Sequence, residues 1–140
     1  RRQRQMCIRD RREHTTVFGT DYNTADGTCV RDYIHVNDLA TAHVLAMDYL
    51  RNGGESQVFN LGSGNGFSVK EIIETAKEVT GIDIPVQYGD RRAGDPGTLI
   101  ASSEKIKELL GWDPKFSNVA DVIKDAWKWH TSHPDGFKSK

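Results

Sequence analysis

The chain has 140 residues, a formal net charge of −1, 36% hydrophobic residues and 28% charged ones. That length holds one core, and that balance belongs to a globular domain rather than a disordered or fibrous chain. No apolar run approaches the roughly 18 residues that cross a bilayer, and Cys7 and Cys29 build neither a disulfide framework nor a zinc site.

The charge is uneven. Residues 1–12 hold six arginines and one aspartate, a net +5, which leaves −6 on the remainder. A basic arm on an acidic body is one pattern of nucleic-acid contact. This arm lacks aromatics, lysines and an amphipathic period, so no nucleic-acid partner is expected. Residues 1–10 match nothing downstream and read as foreign sequence, such as a translated adapter. One domain is expected over residues 11–137, with residues 138–140 frayed. A charged start without a following apolar stretch reads as no secretory signal. With two cysteines and no framework, a cytoplasmic setting without membrane attachment is the expectation.

Pattern places four helices and several short strands. Residues around Arg31 read as strand. Asn37 is placed as an N-cap, because Leu39, Ala42, Ala46 and Leu50 follow at spacings of three or four. Gly53 or Gly54 supplies the left-handed turn beyond Asn52. Residues 58–61 read as a strand leading into the turn 62–66. Ser68 and Glu71 form a capping box, Ile72, Ile73, Ala76 and Val79 make the inner face, and Gly81 stops that helix. Residues 84–88 read as a strand begun or edged by Pro85, and residues 98–100 as extended. Ser102 or Ser103 caps a short helix closed by Gly111, after which Pro114 forces an extended connection. The last helix is placed over residues 119–130, with Val122, Ile123, Ala126, Trp127 and His130 on one side and Pro134 beyond it.

The turn Gly62-Ser63-Gly64-Asn65-Gly66 invites a dinucleotide fingerprint, but the third glycine of G-x-G-x-x-G falls on Phe67. A plain turn fits better. Arg31 has a planar fork suited to bidentate phosphate contact; a solvated or salt-bridged arginine is the plainer alternative. Adjacent Arg91 and Arg92, in a glycine-flanked loop, repel one another unless an anion sits near them. Asp95, three residues after Arg92, is placed to accept from ribose hydroxyls. Trp112, Trp127 and Trp129 read as packing, His35, His43 and His130 as ordinary, and Asp21 and Asp26 as turn-formers. No Y-x-x-x-K, no first glycine-rich strand–helix unit and no nucleophile elbow occurs in these residues.

The runs VFGTDYNTADGTCVRDYIHVNDLA (17–40), VFNLGSGNGFSV (58–69), RRAGDP (91–96), SEKIKELLGW (103–112) and AWKWHTSHPDGF (126–137) resemble the UDP-glucose 4-epimerase family. Those enzymes are extended short-chain dehydrogenases in which an N-terminal Rossmann domain holds NAD and a smaller C-terminal part holds the nucleotide sugar. The resemblance implies an α/β fold equal to that C-terminal part, with the NAD-binding domain absent from this chain and some strands completing its sheet. It implies hydride removal from C4 of the hexose to NAD and return to the opposite face. By the same resemblance Thr16 and Phe18 lie at the uracil edge, Arg31 and Arg92 on the diphosphate, Val69 against the base and Asp95 on the ribose. Tyr33 assists near the nucleotide. Leu99 lines the hexose pocket, where a tyrosine disfavours N-acetylated sugars and a smaller residue admits them. The chain alone is expected to be inactive, and the whole enzyme to be a homodimer. A dehydratase, decarboxylase or pentose epimerase of the same superfamily, and a non-catalytic module, are the alternatives.

Overall fold

The computed structural model describes residues 13–134 and 136–137. The expected foreign segment at residues 1–10 and the frayed tail at residues 138–140 lie outside the described residues. Five strands and four helices occur among those described, in the order β1 (Thr15–Phe18), β2 (Val30–Asp32), α1 (Val36–Arg51), β3 (Gly66–Ser68), α2 (Val69–Thr80), β4 (Val86–Gly89), β5 (Thr98–Leu99), α3 (Glu104–Leu110) and α4 (Val119–Ser132). The α/β expectation holds.

The strands form two small sheets. β1 runs parallel to β4, with Phe18 opposite Gly89. β2 lies between β3, antiparallel, and β5, parallel, so that Arg31 has Phe67 on one side and Leu99 on the other. Two connections therefore run from the two-stranded sheet to the three-stranded one, residues 19–29 after β1 and residues 90–97 after β4, while the return from β3 to β4 is made through α2. Their side-by-side course decides where the site residues stand.

Helix α2 begins and ends as its sequence dictates. The Ser68 hydroxyl accepts from the Glu71 amide while the Glu71 carboxylate accepts from the Ser68 amide, satisfying two orphan donors, and Gly81 closes the helix at φ 68°. Its apolar face packs on α4. The start of α1 differs from expectation. His35, not Asn37, is the N-cap, and its imidazole Nδ1 accepts from the Asn37 amide at 3.1 Å. The proton therefore resides on Nε2, which reaches Asp125 of α4 at 3.2 Å, and the ring stacks on Phe116 at 4.0 Å. A histidine read as ordinary thus ties three segments together.

The main core is Ala42, Ile106 and Trp112, flanked by Leu45, Phe59, Leu61 and Leu110. Buried Asp38 organises it. Its carboxylate accepts from the Lys115 and Phe116 amides, and its carbonyl accepts from the Trp112 indole N–H at 3.0 Å. Several boundaries move. Residues 58–61 are not a strand, since they pair with no neighbour here, and Val58 is 82% exposed. The strand placed at 84–88 becomes Val86–Gly89, because β1 supplies partners from that point. Ser103 is the N-cap of α3 but makes no capping bond; its hydroxyl donates to the Gly62 carbonyl instead. Leu50, the last of the four apolar residues spaced along α1, is 53% exposed.

Candidate functional site

Arg31 stands in the middle strand of the three-stranded sheet. Its Nη1 donates to the Val30 carbonyl at 2.8 Å and to the Gly97 carbonyl at 3.4 Å, and its Nη2 lies 3.7 Å from Asp95. The Arg31 side chain is only 15% exposed. Beside it, Asp32 accepts from the Ser63 amide and hydroxyl and from the Ala101 amide. That carboxylate ties the 62–66 turn and the segment after β5 to β2, which holds the strand rigid where Arg31 leaves it.

Arg92 leaves the other connection. Its guanidinium carbon lies 3.6 Å from the centroid of the Phe18 ring. Stacking covers one face of the guanidinium and leaves its in-plane N–H groups able to donate. Among the described residues the Arg92 side chain makes no hydrogen bond or ion pair. The Asp95 amide donates to the Arg92 carbonyl at 3.2 Å, closing a turn that carries the Asp95 carboxylate toward Arg31. Leu99 is the Cα partner of Arg31 and is 48% exposed.

The adjacent arginines do not share one anion. Arg91 Nε donates to Asp21 Oδ1 at 2.6 Å, its Nη2 donates to the Asp21 carbonyl, and its guanidinium lies 4.1 Å from the Tyr22 ring centroid. The hydrogen bond from Arg91 holds the Asp21 carboxyl below its usual range. The two guanidinium groups diverge onto different partners, Asp21 and Tyr22 for Arg91 and Phe18 for Arg92.

Six expected residues gather at the two connections: Phe18 and Arg92 as a stacked pair, Arg31 and Asp95 as an ion pair, Leu99 beside Arg31, and Val69 at the start of α2, where its amide donates to the Cys29 carbonyl. Thr16 sits mid-strand in β1, opposite Gln87, and half-buried Tyr33 follows β2. Tyr22 was not singled out by sequence. It is 7% exposed, and Gly19, at φ 82°, passes its ring so closely that a Cβ there would meet the ring at 2.5 Å. The signal available was the glycine itself.

No group of three or more His, Cys, Asp or Glu side chains suited to a metal occurs among the described residues. No helix among them is long and apolar enough to cross a membrane.

A family model described as GDP-mannose 4,6 dehydratase matches residues 4–125. The chain is 54% identical over 129 residues to the UDP-glucose 4-epimerase of Halalkalibacterium halodurans, which covers 92% of this chain and 39% of that protein. A crystal structure of a UDP-glucose 4-epimerase superposes with a TM-score of 0.88 at 55% identity, over 96% of this chain and 41% of that one. The Bifidobacterium longum UDP-glucose 4-epimerase, solved with NAD+ and UDP, superposes with a TM-score of 0.79 at 36% identity, over 95% and 39%. The chain thus spans about two fifths of the length of the relatives it matches.

Proposed function

The chain belongs to the GDP-mannose 4,6 dehydratase family, and from that premise we propose that it is the nucleotide-sugar-binding part of a UDP-glucose 4-epimerase. The observation that carries this reading is Arg92. Its guanidinium carbon lies over the Phe18 ring at 3.6 Å, its donors have no acceptor among the described residues, and it stands one turn from the Arg31–Asp95 pair. A planar cation with oriented, unanswered donors suits a diphosphate. In this reading Arg31 and Arg92 hold the two phosphates, Asp95 meets the ribose, and Thr16, Phe18 and Val69 border the uracil, with Tyr33 nearby. Leu99 borders the hexose, and with leucine there the range stays open between plain and N-acetylated hexoses.

The described residues do not fit NAD. The one glycine turn resembling a dinucleotide site opens into strand β3, and a Cβ on Gly62 would meet the Ala101 carbonyl at 2.2 Å and Asp32 at 2.6 Å. At Gly62, the first glycine of that pattern, the backbone is packed against protein rather than open to a pyrophosphate. The share of this chain is therefore grip: it holds the UDP handle while chemistry at C4 of the hexose, interconverting UDP-galactose and UDP-glucose in galactose metabolism, uses NAD held by other residues of the whole enzyme. A cytoplasmic homodimer is the form proposed for that enzyme, and no turnover is proposed for this chain alone.

Replacing the matching 129 residues of the Halalkalibacterium halodurans relative by this chain tests the reading. The chimera should epimerise UDP-galactose, and Arg92→Met in the chimera should raise KM at least tenfold. A folded, NAD-loaded chimera without UDP-galactose turnover would refute it; turnover of a dTDP-hexose instead would favour a dehydratase.

A further inference from the structure

We propose that Arg91 is a positioning residue that fastens the 90–97 connection to the 19–29 connection and thereby sets where Arg92 and Asp95 stand. This rests on the nucleotide-sugar reading only for what Arg92 and Asp95 do, not for the fastening itself.

The fastening is built from both sides. Arg91 takes the side-chain carboxylate and the main-chain carbonyl of one residue, Asp21, and lies over the ring of the next, Tyr22. Two donors from a planar fork on one residue fix direction as well as distance, which a lysine ammonium does not do. The Asp21 side is itself braced. The Tyr22 amide donates to the Gly27 carbonyl at 3.0 Å, and Asp26 accepts from the amide and hydroxyl of buried Thr28. Tyr22 is the shared floor: Gly19 and Gly97, one from each connection, both approach its ring, with would-be Cβ distances of 2.5 and 3.4 Å.

The consequence follows from chain order. The connection leaves β4 beside Phe18 and enters β5 beside Val30, so its ends are fixed by two different sheets. Along it, among the described residues, side chains meet at Arg91 on Asp21, Arg92 on Phe18 and Asp95 on Arg31, and the Gly97 carbonyl accepts from the Val30 amide and from Arg31 Nη1. Arg92 and Asp95 would engage the ligand, whereas Arg91 turns its Nε and one Nη2 N–H onto Asp21 and its guanidinium onto the Tyr22 ring. Holding a loop in its binding conformation before the ligand arrives lowers the ordering cost of binding.

Hydrogen exchange of the loop, read by mass spectrometry on the 140-residue chain without ligand, tests this together with UDP titration by calorimetry. Arg91→Met and Asp21→Asn should each speed exchange across residues 90–97 at least tenfold while α2 exchanges as in the parent, and should weaken UDP binding about fivefold to tenfold. The paired reversal, Asp21→Arg with Arg91→Asp, should recover part of the loop protection. Unchanged loop exchange in both single variants overturns the fastening, whatever UDP does. Faster exchange with parental UDP affinity overturns its link to binding. A parent chain that ignores UDP, with variants that still exchange faster, keeps the fastening and removes the nucleotide-sugar reading.

Discussion

Arg31 Nη2 faces Asp95 Oδ1 across 3.7 Å, joining the middle strand of one sheet to the loop that carries Arg92. The pair is unequal, because Arg31 also donates to the Val30 and Gly97 carbonyls. Arg31→Met should therefore cost about 1–3 kcal/mol, the loss of a largely enclosed hydrogen-bonding group. Asp95→Asn should cost less than about 1 kcal/mol, as for a partly exposed ion pair. Urea denaturation followed by tryptophan fluorescence measures both. Equal losses would mean that the ion pair, rather than the carbonyl contacts, is what Arg31 contributes.

Arg92 and Phe18 should separate stability from binding. A stacked, exposed guanidinium adds about 0.5–1 kcal/mol to the fold. A charge-assisted hydrogen bond to phosphate is worth about 1.5–3 kcal/mol. Arg92→Ala should thus leave the melting temperature within a few degrees of the parent and weaken UDP by about tenfold to a hundredfold. Phe18→Leu keeps the cation but removes its platform, and should weaken UDP by a smaller factor. UDP affinity unchanged in Arg92→Ala would remove this residue from the diphosphate.

Asp38 is a costly side chain to delete beside the main core. Its carboxylate answers two amides, those of Lys115 and Phe116, beside the buried Trp112. Asp38→Ala should destabilise by about 2–4 kcal/mol, since both donors lose their acceptor. Chemical denaturation gives the value. A loss below about 1 kcal/mol would show that water or a rearranged chain replaces the carboxylate.

Acid stability should depend on Asp26. Burial acts to raise its pKa, but hydrogen bonds from Ser68 and from the Thr28 hydroxyl and amide outweigh it, so the carboxyl is held below its usual 3.8. A lowered folded-state pKa gives stability that is present above the unfolded value and lost as pH falls through the folded one. The parent should lose stability as pH drops below about 4, and Asp26→Asn should flatten that part of the profile. Thermal melts between pH 2.5 and about 6 check it. Identical slopes for parent and variant would contradict the assignment.

Local chemistry was legible where its cause is local. The Ser68–Glu71 box, the Gly81 and Gly111 stops and the inner face of α2 depend on residues three or four apart, and they stand as read. The N-cap of α1 was misplaced because an imidazole nitrogen served as acceptor, and nothing within the helix marks His35 for that task. Residues 58–61 look like strand because Val58, Phe59 and Leu61 are apolar, yet a strand exists only where a partner pairs with it.

What the amino-acid order determined by itself was the set of helices and turns and the family likeness, since propensity, capping and residue chemistry act over a few positions. Tertiary structure alone decided which partner each cation took: Arg91 went to Asp21 and Arg92 to Phe18, about seventy residues away along the chain. Such pairings are set by how two sheets place their connections side by side. No rule of spacing within either loop contains that information.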